Sequence, residues 1–266
     1  MESDAPLGNP CHSTAGKDNS DRVRMVRQIF AAITGKYDFL NHLLSLRRDI
    51  SWRRFTVDKM EFFNTRRLLD VATGTCDLAI EGAVRYPHIH VTGIDFVREM
   101  LERGFEKVQQ RGLSSRIDLV HGDALHLPFP DGSFDVAAMA FGIRNIPHRM
   151  RALSELRRVV VPGGQILILE LTLPQGPRFR IFYRIYLKGL IPLLARVLSP
   201  DPGAYQYLGE SIMNFPTTWE FQGMMGDVGL VNVEAYALTY GISHMFAGHK
   251  PKGPATGPSS STDVAF

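Results

Sequence analysis

Acidic and polar residues stand at the ends of successive short apolar runs, and their types and spacing point to one kind of ligand. The stretch Leu68-Leu-Asp-Val-Ala-Thr-Gly-Thr-Cys-Asp-Leu78 starts apolar, reaches Asp70, and passes through a small, flexible turn into a helix-like pattern. A strand that enters a tight loop and then a helix is where α/β sheets bind nucleotides, at the carboxyl ends of their strands. Gly74 lets the backbone approach a ligand closely, because no Cβ stands in the way. The loop has neither G-x-x-x-x-G-K-[ST] nor a full G-x-G-x-x-G, so it has no phosphate cradle of either kind. The ligand it suits is nucleotide-like and carries no polyphosphate.

The run His90-Val-Thr-Gly-Ile-Asp95 is a second apolar segment ending in a carboxylate. It follows the glycine turn by about 20 residues, the distance at which an acidic residue reaches ribose hydroxyls in a βαβ unit. A carboxylate accepts two hydrogen bonds and so suits a diol. Ile117-Asp-Leu-Val-His-Gly-Asp123-Ala124 supplies a third end, where Asp123 can accept from a purine amine. Ser133-Phe-Asp-Val-Ala-Ala-Met-Ala-Phe141, followed by Gly142-Ile-Arg144-Asn145, supplies a fourth. One Asp at a strand end is more often a helix cap or a turn residue. All of them in order, at βαβ spacing, converge on one edge of a sheet.

The elements that must position these residues follow from periodicity. Strands are expected near 67–71, 90–95, 117–121, 134–139 and 165–171, with helices near 77–86, 97–112 and 149–159. Gly163-Gly164 reads as a turn before the fifth strand. Leu230 to Leu238 and Ser243 to His249 suit an antiparallel hairpin at a sheet edge. Val23, Val26, Ile29, Phe30 and Ile33 recur at helical spacing, which predicts a helix over Arg22 to Ile33. A second helix is expected across Phe39 to Met60, and the two would cover the ligand edge of the sheet.

Composition agrees with one globular enzyme. A chain of 266 residues with 44% hydrophobic content can bury a large core in a single α/β domain. The net charge of +3 is mild, and no Lys/Arg run has the density that nucleic acid would demand. Cys11 and Cys76 make a disulfide framework unexpected and fit a reducing cytoplasm. Cys76 has two readings, a thiol activated near a helix start or a small residue filling a tight loop. Residues 1–21 and 252–266 are polar and aperiodic, are expected to be disordered, and have no apolar signal-like centre. Arg178 to Ser199 is apolar, aromatic and basic, but Arg184, Lys188 and Arg196 interrupt it and Pro192 breaks it, so it is not a membrane span. It reads as a core-packing helix, as a wall for a greasy substrate, or as a segment touching anionic lipid.

The motifs Asp70-Val-Ala-Thr-Gly-Thr, Gly-Ile-Asp95, Gly-Asp123-Ala-Leu-His-Leu-Pro-Phe and Val-Pro-Gly163-Gly164 resemble those of Rossmann-like S-adenosylmethionine-dependent methyltransferases. More narrowly, the chain resembles the quinone-biosynthesis C-methyltransferases of the UbiE/MenG/Coq5 family. Tyr37-Asp38-Phe-Leu-Asn41-His-Leu-Leu-Ser45 with Trp52, Phe141-Gly142-Ile-Arg144-Asn145, and Arg158-Val-Val-Val-Pro-Gly-Gly-Gln-Ile-Leu-Ile-Leu-Glu170 carry that narrower likeness, which runs from about Arg22 to Pro251. The chain departs from the family at Cys76 (usually Gly or Ala), Asp49 (His), Ala140 (often Ser or Thr) and Phe246 (His). No cofactor carboxylate is lost, and neither Asp49 nor Phe246 offers the imidazole of the family pattern.

The resemblance implies an α/β, Rossmann-like methyltransferase fold. Its sheet would be seven-stranded and mostly parallel, with an antiparallel C-terminal edge and an N-terminal helical cover. One domain would span 22–251, with the cover at 22–64 and a helical insertion at 172–225 lining the substrate site. The cofactor would be S-adenosylmethionine, with no metal. Gly74 and Thr75 would line its methionine part beside Asp70, Asp95 would hold the ribose, and Asp123 with Ala124 would frame the adenine. Met100 would pack on the adenine face, with Ala140 close by. The substrate would be a prenylated demethylmenaquinol, methylated at a ring carbon in the last step of menaquinone biosynthesis. The enzyme would be cytoplasmic, with contact at the inner face of a membrane, and a homodimer is admitted.

Methyl transfer from a sulfonium is an in-line displacement that needs alignment and exclusion of water. A quinol ring carbon becomes nucleophilic when its neighbouring hydroxyl loses a proton, so a base or a phenolate stabiliser is required. Arg144 is expected to stabilise that phenolate, Asn145 to bond the second quinol oxygen, and Tyr37 with Asp38 to close over the site. The alternatives are that Arg144 pairs with a carboxylate, that Asn145 caps the next helix, and that Tyr37 and Asp38 have no chemical part. His42, His148 and His244 are reserve bases. Rival functions are C-methylation of a polyprenyl benzoquinol in ubiquinone biosynthesis, methylation of another small molecule, and a non-catalytic scaffold that binds the cofactor. An NAD-dependent dehydrogenase is a weak rival, because the glycine fingerprint is missing.

Overall fold

The structure, a computed structural model, describes residues 24–31, 34–190 and 203–252. The expected tails, apart from Lys252, lie outside the described residues, as do 191–199 of the basic apolar stretch. The cover comprises α1 (24–31), α2 (Tyr37–Leu44) and α3 (Arg48–Asp58). There follow β1 (Arg67–Val71), α4 (Asp77–Arg85), β2 (His90–Asp95), α5 (Arg98–Gln110), β3 (Ile117–His121) and β4 (Phe134–Ala140). After α6 (Arg149–Val159) and β5 (Val160–Leu171) come α7 (Pro177–Ile185), α8 (Gly203–Met213) and α9 (Thr218–Asp227). The hairpin of β6 (Val231–Leu238) and β7 (Ser243–His249) ends the fold.

The sheet has seven strands in the order β3-β2-β1-β4-β5-β7-β6. The first five pair in parallel, and β7 enters antiparallel between β5 and β6. This is the expected mostly parallel sheet with its antiparallel edge. The strands read as continuous apolar runs because helices cover both faces, as buried parallel sheets require. Side chains alternate between the two layers: Leu68 packs in one core with α3 and α4, while its neighbour Leu69 packs in the other with α6 and α9. Each is fully buried, worth about 1.5–3 kcal/mol per side chain.

Two sequence expectations need correction. The single helix over Phe39 to Met60 is broken at residues 45–47, where Leu46 and Arg47 take φ values of 50° and 61°. The Arg47 N–H donates back to the His42 carbonyl at 2.7 Å and closes the end of α2. Neither glycine nor proline marks the break, so periodicity alone runs straight through it. Gly163-Gly164 is a bulge inside β5 rather than a turn before it, with the register shifting opposite Phe134 and Val136. A Cβ on Gly164 would sit 2.7 Å from the Asp135 carbonyl oxygen, so the strands can approach only with glycine there.

One buried carboxylate fastens the loop that feeds β1. Asp135 on β4 accepts from the backbone N–H groups of Phe63, Asn64, Thr65 and Arg66, the last at 2.7 Å. Asp135→Asn keeps the shape but sets an amide donor against those donors. It is expected to cost about 2 kcal/mol, read as a lower midpoint in urea unfolding; an unchanged midpoint would contradict this role.

Candidate active site

The carboxyl ends of β1, β2, β3 and β4 open onto a cavity of about 330 Å³. Asp95, Met100, Asp123, Ala124, Ala140 and Asn145 line it, and Val26 and Phe30 of α1 close it from above. The Asp95 carboxylate is 6% exposed. It takes the Gly74 N–H on Oδ2 at 2.8 Å and the Val97 N–H on Oδ1 at 2.9 Å. Burial pushes its pKa up, and those backbone bonds pull the other way. Asp123 Oδ1 accepts from the Leu125 N–H at 2.9 Å.

A smaller cavity adjoins it, sharing Ala72 and Ala140 and lined by Arg53, Asp70, Thr73, Thr75 and Asp77. Asp70 Oδ2 accepts from the Thr73 hydroxyl at 2.6 Å and from the Ala79 N–H at 3.1 Å. Its Oδ1 is buried and has no hydrogen-bond partner among the described residues. Burial raises the Asp70 carboxyl to a pKa of about 7. A positively charged ligand group would satisfy that oxygen and ionise the acid. An adenosine attached to an amino-acid chain fits the pair of cavities: a mostly apolar slot floored by carboxylates, then a small polar chamber that sets Asp70 and Asp77 beside the Arg53 guanidinium.

The cover is tied to the glycine loop by charge. Thr75 donates from Oγ1 to Asp38 Oδ1 at 2.6 Å, and Lys107 Nζ bridges Asp38 to Asp77. Arg53 reaches Asp49 at 2.6 Å and Asp77 at 3.5 Å. Asp38 is thus bound to the loop by its own side chain. Tyr37 begins α2, and its side chain lies outside the described residues.

On the other side of Phe141 is a second cavity, of about 570 Å³, lined by Asp49, Trp52, Arg144, Tyr183, Leu187 and Ile212 among others. Phe141 lines both large cavities and forms the seam between them. Its φ of 59° is left-handed, a strained state for an aromatic residue. Trp52 packs against its ring at a centroid distance of 6.2 Å, and the Arg53 guanidinium lies 5.4 Å from the ring centre.

Arg144 is buried and pairs with Glu170: Nη1 donates to Oε1 at 2.7 Å, and the Arg144 backbone N–H donates to Oε2 at 3.1 Å. Arg144 is thus paired with a carboxylate, and the same side chain lines the second cavity. Asn145 lines the first cavity and accepts from the Tyr207 hydroxyl at 3.0 Å, so it does not share the Arg144 cavity. Phe141 lines both cavities and stands between the two side chains. Both residues belong to the short 3₁₀ turn Ile143–Asn145 that follows β4.

Cys76 is buried with φ 68°, and burial pushes its thiol up to about 12. It is a filler of the tight loop and no activated nucleophile; a Cβ at Gly104 would collide with its sulfur. His42 bonds Asp49 at 2.8 Å, and His244 is buried against Thr172 at 2.7 Å with its pKa lowered by burial. His148 precedes α6. Reading the sequence missed Glu170, Phe141 and Tyr183. Glu170 had a signal: it is the acid near the end of the fifth strand, the same rule that found Asp70 and Asp95. No group of three or more metal-ligating side chains occurs among the described residues.

Comparison with known proteins places this architecture. Residues 16–250 match the model of the ubiE/COQ5 methyltransferase family. A "Ubiquinone/menaquinone biosynthesis C-methyltransferase UbiE" of Geobacter sp. (strain M21) is 42% identical over 87% of the chain and 98% of its own length. A "Demethylmenaquinone methyltransferase" of Deinococcus radiodurans is 40% identical over 88% of the chain and 95% of its own. The crystal structure of a SAM-dependent methyltransferase from Aquifex aeolicus superimposes with a TM-score of 0.55 at 19% identity, over 74% of this chain and 89% of that one. It shares the fold. The chain belongs to the ubiE/COQ5 methyltransferase family, whose members are S-adenosylmethionine-dependent C-methyltransferases.

Proposed function

We propose that the protein transfers a methyl group from S-adenosylmethionine to a ring carbon of a prenylated demethylmenaquinol. The carrying observation is that Phe141 separates a nucleoside-sized cavity from a larger apolar one that Arg144 lines. Asp95 and Asp123 would hold the ribose and adenine, Met100 would pack on the base, and Gly74, Thr75 and Asp70 would hold the amino-acid end beside Ala140. When bound, the cofactor supplies a methyl group already activated on a sulfonium. The protein's own work is to exclude water, align the ring and stabilise the phenolate that makes the carbon nucleophilic. Arg144, fixed by Glu170, is a permanent cation and would serve that last task. Its pKa forbids a role as base, so the phenol proton leaves through solvent or a neighbouring carboxylate.

The apolar lining of the second cavity, Leu44, Leu171, Leu187 and Ile212 among it, suits the first part of a prenyl chain. At its rim Leu46 is 81% and Phe179 38% exposed, with Ile181 and Ile185 exposed along α7 beside Arg178 and Arg184. Apolar side chains among arginines suit the surface of an anionic membrane, which would deliver such a substrate. No described helix is long and apolar enough to cross a membrane. The printed name of the Geobacter relative includes ubiquinone as well as menaquinone, so methylation of a prenylated benzoquinol is the second reading. An anaerobic assay with S-adenosylmethionine and each reduced quinol, read by mass spectrometry, tests both. Methyl gain on the naphthoquinol supports the proposal, gain on both extends it, and gain on the benzoquinol alone overturns it.

Cofactor binding is expected to depend on pH through Asp70. Unfolded, its carboxyl titrates at the ordinary 3.8; folded, it keeps its proton to about 7. The apo fold therefore loses stability as pH rises across that window, because the unfolded chain has already released the proton. A bound cation reverses the preference, so binding should release a proton at pH 6. Affinity should rise about tenfold between pH 6 and 7.5, and Asp70→Asn should flatten the rise. Calorimetry in two buffers of different ionisation enthalpy reads both; no proton release at pH 6 would contradict this.

A further inference from the structure

Tyr183 and Tyr186 stack on each other in the wall of the second cavity, with ring centroids 6.0 Å apart and planes at 16°. Their hydroxyls meet different fates. Tyr186 donates to the Leu44 carbonyl at 2.9 Å and pins the end of α7 to the cover. Tyr183 is only 7% exposed, packs with Leu187 and Ile212, and makes no hydrogen bond to any described residue. Its oxygen is not among the fully buried polar atoms that lack a partner, so it keeps access to the cavity that Tyr183 lines, where a hydroxyl meets a ligand or water. Tyr183 and Arg144 line the same cavity, near enough that the guanidinium charge is felt at the phenol.

We propose that the Tyr183 hydroxyl is a second donor to the acceptor oxygen beside the reacting carbon, acting with Arg144. Burial holds the phenol well above the ordinary tyrosine range, so it stays protonated and serves as a donor, never as the base. A neutral donor and a fixed cation on one oxygen stabilise the phenolate more than the quinol, which makes the contact catalytic. The departing proton goes elsewhere, the electron pair stays on the oxygen, and Tyr183 keeps its hydrogen throughout. This inference rests on the quinol reading above.

Tyr183→Phe tests it, with Tyr186→Phe as the control. For Tyr183→Phe, kcat on the accepted quinol should fall about tenfold, the size of one hydrogen bond to a charged group. The acid limb of the kcat profile should move up by about one pH unit, because the phenolate forms less readily. Cofactor affinity should be unchanged, and the melting temperature equal or higher, since an unbonded hydroxyl has left the interior. Tyr186→Phe removes a bonded hydroxyl from the same ring pair and should lower the melting temperature, the opposite sign to Tyr183→Phe. An unmoved acid limb with unaltered kcat in Tyr183→Phe overturns the proposal while leaving the quinol reading standing. A lower melting temperature in Tyr183→Phe with an unmoved limb also overturns it, as the sign of a packing role alone. A wild-type enzyme that methylates neither quinol overturns the reading and this inference together.

Discussion

Asp95→Ala is expected to weaken S-adenosylmethionine binding by about 10²–10³-fold. Two hydrogen bonds to a charged group are each worth about 1.5–3 kcal/mol, and part of that sum is lost to competing water. The structure adds a second effect. Asp95 also holds the Gly74 and Val97 N–H groups, so its loss loosens the glycine loop as well as the ribose site. Asp95→Asn separates the two, because the amide oxygen can keep one backbone bond while the charge is gone. It should fall between wild type and alanine. Calorimetric titration reads all three proteins; normal affinity in Asp95→Ala would contradict the assignment of this cavity to the cofactor.

The second large effect concerns the buried pair. Arg144→Ala should bind cofactor normally and lose about 10²–10³ in turnover, the usual loss when one stabiliser of developing negative charge is removed. It also strands Glu170, which is fully buried and accepts from the Leu171 and Arg144 N–H groups. Breaking one side of a buried ion pair costs about 3–5 kcal/mol. Glu170→Ala should show that stability loss too, and should lose turnover because the guanidinium is no longer held. Urea unfolding and single-turnover rates measure the two halves. Full turnover in Arg144→Ala would remove it from the mechanism.

These side chains were not equally legible in the sequence. The strands and the cavity-lining carboxylates at their ends were readable because both obey local rules. Buried parallel strands are continuous apolar runs, and their ligand residues sit at the carboxyl ends. Asp70, Asp95 and Asp123 thus emerge from spacing alone, and the final hairpin from its alternation. The Glu170 pairing with Arg144 spans 26 positions, and no local pattern encodes it. The left-handed turn at Leu46 and Arg47 involves no glycine, so the helix break was invisible. The separation of Arg144 from Asn145 depends on how a three-residue turn is oriented by β4 and β5. Tyr183 lay in a stretch whose composition allowed core, substrate wall or lipid contact, and only the fold gives its hydroxyl a direction.

In the proposed reaction carbon, not oxygen, receives the methyl group, across the seam at Phe141. The most direct test is an anaerobic reaction with S-adenosylmethionine carrying a ¹³C-labelled methyl group and a prenylated demethylnaphthoquinol, the product examined by carbon NMR. A single new signal in the range of a methyl on an aromatic ring carbon is expected. A signal in the methoxy range, or label retained wholly on the cofactor, would contradict it.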